Sequence, residues 1–157
     1  MDNRNCKRYR DEINKMELTL PAISVNEGMA RAAVAAFCAQ LSPSPTDLAD
    51  IKCAVSEAVT NCIVHAYKHK KGNFYITVNL YSDKTVRIEV LDKGCGIADV
   101  RRAREPLFTT DAAGERSGMG FTVMENFMDR LTVSSREGKG TLVVLTKRLG
   151  RKTAEEE

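Results

Sequence analysis

Several protein classes are excluded by what the chain lacks. No CxxC pair occurs, and Cys6, Cys38, Cys53, Cys62 and Cys95 are odd in number and scattered. That pattern gives no disulfide framework and reads as reduced thiols. No apolar run is long enough to span a bilayer, and the opening MDNRNCKRYRDE carries charge where a secretory leader needs an apolar core. The expected compartment is therefore the cytoplasm, with no membrane partner. A net charge of +3 is too small and too evenly spread to argue for direct nucleic-acid binding. No G-K-[ST] occurs, which removes a P-loop, and there is no internal repeat or low-complexity tract. The 157 residues of the chain, 43% of them hydrophobic, suit one domain with a single core.

The pattern along the chain gives alternating layers. Residues 1–15 read as a mobile tail, 16–149 as one domain, and 150–157 as a frayed end. Residues 16–23 predict a short strand. Ser24 and Glu27 in SVNE predict a capping box, followed by a helix with Ala30, Ala33, Val34, Phe37, Cys38 and Leu41 on one face. SPSP stops it; Ser44 then caps a second helix opened by Pro45, running through IKCAVSEAVTNCIVHAYKH. Strands follow at 73–81 and 86–91, the first alternating Phe74, Ile76, Val78 and Leu80 against Tyr75, Thr77 and Asn79. A short helix near 98–104, a long loop, a helix over 119–130 and a hairpin (LTVSS, REGKG, TLVVLTK) complete the domain. The fold class expected is α/β: a two-layer sandwich with a mixed, mostly antiparallel sheet and helices on one face.

Three segments carry candidate chemistry. Glu57, Asn61 and His65 stand four residues apart on the second helix and share a stripe, since each step of four advances about 40°. The stripe is either a solvated face or a carboxylate and an amide turned to a cleft, Asn as a neutral Mg²⁺ ligand and Glu as a base. Cys62, His65 and His69 have metal-like spacing, but Cys53 lies across the helix from Cys62, and a zinc site is disfavoured. DKGCGI places Asp92, Gly94 and Gly96 directly after a strand. It fails the dinucleotide fingerprint, because Asp99 stands where Gly or Ala is needed. It is either a strand-ending turn with Gly at φ > 0 or a carboxylate for a base amino group beside glycines that admit a flat ring. GERSGMGF sets Gly118 and Gly120 before a helix whose free N–H groups can hold phosphate, with Arg116 at the same mouth. A flexible hinge explains the same glycines.

In this order the segments resemble the N, G1 and G2 boxes of the ATP-binding fold shared by histidine kinases, DNA gyrase and the heat-shock chaperone (the Bergerat fold). AVSEAVTNCIVHAY, AREPLFTT and ERSGMGFTVMENFMD resemble more closely the anti-sigma-F factors of spore-forming bacteria, over roughly residues 16–147. That resemblance implies an ATP-dependent serine-protein kinase that also sequesters a sporulation sigma factor and phosphorylates an anti-anti-sigma factor. Glu57 would be the catalytic base and Asn61 the Mg²⁺ ligand. Asp92 would read adenine of ATP or ADP, with Gly94 and Gly96 giving room and Thr141 helping through its hydroxyl. Residues 104–118 would form a lid bringing Thr109 and Thr110 near the phosphates. Ser117 belongs to the second glycine box, whose Gly118, Met119 and Gly120 would offer backbone N–H groups, and Arg116 would meet the γ-phosphate. Arg31, in EGMARAAVAAF, would point outward and hold both protein partners in turn, near a homodimer seam. No phosphoacceptor His box with its dimerisation helix occurs, which disfavours a sensor histidine kinase. The general-stress anti-sigma factor kinases and a nucleotide-regulated binding module without kinase activity are the rival readings.

Overall fold

A computed structural model describes residues 11–68, 70–106 and 119–150. Five strands form one sheet: β1 (Glu12–Pro21), β2 (Asn73–Tyr81), β3 (Thr85–Asp92), β4 (Arg130–Arg136) and β5 (Gly140–Arg148), in the order β1-β2-β3-β5-β4. Every pairing is antiparallel, so the expected mixed sheet is corrected to a wholly antiparallel one. The helices are α1 (Val25–Cys38), α2 (Pro45–Asn61), α3 (Val100–Ala103) and α4 (Gly120–Phe127). The period of two along β2 and β3 sends Phe74, Ile76, Val78, Leu80, Val86, Ile88 and Val90 into the core. There they meet Ala30, Val34 and Cys38 of α1, Ile51, Val55 and Val59 of α2, and Phe121 and Met124 of α4. Helices on one face of a sheet follow from that burial, and a sandwich of two layers results.

Three local expectations are corrected. β1 starts at Glu12, inside the segment read as a tail. Its charges belong to an edge strand, where they shield unpaired backbone from other chains. Lys15 pairs with Glu17 at 2.8 Å, and Glu12 accepts from Asn79 Nδ2 at 2.7 Å, while Met16, Leu18 and Leu20 pack on the core. The capping box at Ser24 does not form. Ser24 takes helical dihedrals (φ −56°, ψ −35°) and makes no side-chain cap, because a cap needs extended backbone. Glu27 reaches α2 instead, accepting from Ser56 Oγ at 2.5 Å. The second helix is not α-helical throughout: Cys62–Ala66 is a π turn.

The start of α2 forms as expected and with an addition. Ser44 is extended and its Oγ accepts from the Asp47 N–H at 3.0 Å, while Asp47 returns a bond to the Ser44 N–H, with Pro45 next to the cap. The buried Asp47 carboxylate also accepts from the Gly150 N–H at 3.0 Å. Lys147 pairs with Asp50 at 3.2 Å, so the end of β5 is tied to the first turns of α2. No helix among the described residues is long and apolar enough to cross a membrane.

Two glycines of the β4–β5 hairpin differ in what they require. Gly138 (φ +76°) has nothing within 4 Å of a Cβ built on it, whereas at Gly140 (φ +100°) a Cβ would lie 2.1 Å from the Asp92 carbonyl oxygen. Gly138→Ala should cost only the left-handed penalty, about 1–2 kcal/mol. Gly140→Ala adds a backbone collision and should cost roughly 3 kcal/mol or more. Urea unfolding of both variants checks this; equal losses would show that Gly140 is not wedged against β3.

Candidate active site

α2 supplies the first wall. Its apolar face (Ile51, Val55, Ala58, Val59) is buried, and Glu57, Asn61 and His65 lie beside that face at half-burial. The α-helical spacing carries Glu57 and Asn61 along one stripe; His65 follows within the π turn, where the winding is wider. The helix ends at Ala66, whose carbonyl has no intrahelical partner and accepts the Cys95 N–H at 2.7 Å. The Cys95 thiol lies 3.3 Å from the His65 carbonyl oxygen. The end of α2 thus holds the loop that follows β3.

That loop fixes Asp92, a buried carboxyl at the end of β3. Its Oδ1 accepts from the Gly94 N–H at 3.0 Å, and Cys62 Sγ–H donates to Oδ2 at 3.7 Å. Burial raises the Asp92 pKa above the ordinary carboxylate range; the N–H groups of Gly94 and Thr141 and the Cys62 thiol pull the other way. Burial, helped by the neighbouring Asp92 charge, pushes the Cys62 thiol strongly up. Thr141 sits opposite Asp92 in the β3–β5 register, is buried, and its Oγ1 lies 2.8 Å from Ser135 Oγ.

The glycines of this loop have packing reasons of their own. A Cβ on Gly94 would fall 2.2 Å from the Ala66 carbonyl oxygen. Gly96 adopts φ +71°, and a Cβ there would meet the Arg136 carbonyl oxygen at 2.2 Å. The strand-ending turn with Gly at positive φ is therefore present at Gly96, alongside whatever room the loop gives a ligand.

α4 brings the third segment. A Cβ on Gly120 would come 3.1 Å from Glu57 Oε2 and 3.6 Å from Asn61 Oδ1, so both polar ends of the α2 stripe meet the first turn of α4. Met119 caps that helix with no side-chain bond to its N–H groups. Asn61, Glu57, Asp92, Gly96, Gly120 and Thr141 all line one cavity of about 470 Å³, a size suited to a small-molecule ligand. Thr109, Thr110, Arg116, Ser117 and Gly118 lie outside the described residues. Arg31 does not line this cavity. It is exposed on α1 as expected, 3.6 Å from Glu27, and lines a separate groove with Lys52.

Residue patterns did not single out Cys62 as a partner of Asp92, nor Ile97 and Val143 as apolar lining. Cys62 directly follows Asn61, and its inward helical phase was the available signal. Tyr67 was also missed: its hydroxyl accepts the Lys93 N–H at 2.9 Å and donates to the Asn73 carbonyl, bracing the loop.

Comparison with known proteins bears on the fold and the family. The RsbU and RsbW domains of a Mycobacterium tuberculosis protein superpose with a TM-score of 0.65 at 25% identity, over 89% of this chain and 34% of that one; the chain thus spans about a third of that protein. The histidine kinase domain of an Erythrobacter litoralis blue-light activated histidine kinase shares the fold, with a TM-score of 0.55 at 19% identity over 92% of this chain and 66% of that one. The family model of the histidine kinase-like ATPase domain matches residues 20–147, and fold and site together define a domain of that class. The anti-sigma F factor of Caldanaerobacter subterraneus subsp. tengcongensis is 57% identical over 139 residues, 88% of this chain and 96% of that protein. That of Bacillus subtilis is 49% identical over 142 residues, 90% and 97% of the two chains. The chain belongs to the anti-sigma F factor family.

Gly120 supplies a test of the site's geometry. Alanine is favoured over glycine in a helix by about 1 kcal/mol, but its Cβ would crowd the Glu57 carboxylate. Gly120→Ala should melt no lower than the parent while impairing any chemistry that depends on where Glu57 sits. A variant that melts well below the parent would show the helix start, not Glu57, to be the constrained element.

Proposed function

We propose that the protein is an ATP-dependent protein serine kinase that also binds and inhibits a sigma factor of the sporulation (sigma-F) type, and that its phosphoryl acceptor is a serine of the anti-anti-sigma antagonist. The observation that carries the kinase reading is the convergence of the Glu57 carboxylate and the Asn61 amide on the first turn of α4, in the cavity that also holds buried Asp92. A domain that only sensed nucleotide would need no carboxylate at that point.

The residues present fit ATP. Asp92 is an acceptor held by backbone N–H groups in an apolar surrounding, the arrangement needed to take a hydrogen bond from the purine amino group. Met119 and Gly120 open α4, whose free N–H groups and dipole suit phosphate oxygens. Asn61 offers a neutral oxygen to Mg²⁺, whose part when bound is to neutralise charge developing on the transferred phosphoryl group. Glu57 orients the acceptor serine and takes its proton as the hydroxyl oxygen attacks the γ-phosphorus, with ADP leaving as the bond from that phosphorus to the β–γ bridging oxygen breaks. Arg116, Ser117 and Gly118, with Thr109 and Thr110, complete the phosphate side as a lid in this reading. Thr141 supports adenine through its hydroxyl. Phosphoryl transfer rests on such positioning and charge more than on covalent catalysis.

On the partner side, Arg31 is the proposed shared anchor. Its exposed guanidinium can pair bidentately with a carboxylate of either protein, which would make sigma factor and antagonist exclude each other. A homodimer through the β1 edge and the start of α1 is proposed on the exposed Ile23, Val25 and Met29. The protein is proposed to work in the cytoplasm.

Glu57→Gln keeps the shape but replaces one acceptor oxygen with a donor NH₂ and removes the base. It should retain ATP affinity and lose phosphorylation by about 10²–10⁴-fold; a normal rate would place the base elsewhere. For Asp92 the sign follows from its raised pKa. The ionised form, the better acceptor, is lost as pH falls through a value above the usual carboxylate range of about 4. ATP affinity measured by calorimetry should therefore begin to decline at a higher pH than for an exposed carboxylate. An affinity flat down to that ordinary range would contradict the burial argument.

A further inference from the structure

Beside Asp92 stands a thiol that the proposed chemistry does not use. Cys62 is the first residue of the π turn, buried, with Sγ 3.7 Å from Asp92 Oδ2. The other carboxylate oxygen, Oδ1, is taken by the Gly94 N–H at 3.0 Å. Asp92 is thus held from three sides: by its own loop through the Gly94 N–H, by β5 through the Thr141 N–H and by α2 through Cys62. A carboxylate has two oxygens and about four lone-pair sites. Which of them faces a ligand depends on the donors that occupy the rest.

We propose that Cys62 is a positioning residue for base recognition: its S–H donates to Asp92 Oδ2 and fixes the rotation of the carboxylate, so that the correct lone pair meets the amino group of a 6-aminopurine. The inference rests on the reading of Asp92 as the base-recognising residue. A buried cysteine also behaves as a small apolar filler, and the two roles differ in what they predict. A filler supports every purine nucleotide alike. A carboxylate positioner supports only a nucleotide that offers a hydrogen bond to the carboxylate.

The test is calorimetry on the full chain with Mg²⁺ and two nucleotides: ATP, and purine riboside triphosphate, which has hydrogen in place of the amino group. The parent should prefer ATP. Cys62→Ala should weaken ATP by roughly three- to tenfold, the range for loss of one hydrogen bond, and leave the purine riboside nucleotide unchanged. Cys62→Val, which leaves no cavity and has no donor, should behave as Cys62→Ala does, and its melting temperature checks for a folding defect. Cys62→Ser, which keeps a donor, should recover much of the lost ATP preference. Equal losses for both nucleotides, no loss in either donor-free variant, or a serine variant as weak as alanine would overturn the role of Cys62. Asp92→Asn separates this from the underlying reading. If the parent and Asp92→Asn fail to distinguish the two nucleotides, Asp92 is not the base reader, and the inference falls with it.

Discussion

The site depends on a close fit between two stretches of backbone. The Ala66 carbonyl, at the end of the helix and outside its hydrogen-bond ladder, accepts the Cys95 N–H at 2.7 Å, and the adjoining Gly94 has no space for a Cβ against that same oxygen. Through this contact the end of α2 and the loop after β3 become one body. Asp92 then has a fixed place relative to Asn61 and Glu57. Gly140 repeats the arrangement on the other side, wedged against the Asp92 carbonyl. Glycine is required at these points because backbone meets backbone, and only secondarily because a ligand needs access.

Charge sets the second condition. Among the described residues that line the cavity, Glu57, Asp92, Asp99 and Glu137 are acidic, and only Lys68 and Arg102 are basic. An anionic ligand in such a place needs compensation from elsewhere. The N-terminal turn of α4 supplies fixed partial positive charge, and in the proposed reading Mg²⁺ and Arg116 supply the rest. The acidic lining therefore suits a site in which carboxylates have separate work: one buried against the base, one beside the point where α4 begins. Cys62 and Tyr67, both within the helix segment that carries Glu57 and Asn61, hold the first of these in position.

Much of this was legible in the residues because the signals were periodic or covalently constrained. Alternation located β2 and β3, and Ser44-Pro45 located the start of α2, since proline at that point sacrifices no hydrogen bond. The site stripe was legible for the same reason: Glu57 and Asn61 repeat at helical spacing. The misreadings have local causes. Ser24 has the sequence of a cap but not its backbone, because Glu27 finds Ser56 on a neighbouring helix, a tertiary contact that no local pattern records. Glu12 to Lys15 look like a tail because edge strands tolerate charge. The π turn at Cys62–Ala66 leaves no compositional trace; the carbonyl at its end meets the Cys95 N–H some thirty residues away, and the Cys62–Asp92 contact was hidden with it.

The central claim is that one cavity binds nucleotide and carries out transfer to a protein serine. The direct measurement is incubation of the full chain with Mg²⁺ and ATP labelled at the γ-phosphate, together with the candidate anti-anti-sigma protein, followed by mass spectrometry of the acceptor. The account predicts label on a serine of the acceptor, absent when either nucleotide or kinase is left out. Tight ATP binding with no label transferred would contradict it and leave a nucleotide-regulated binding module in its place.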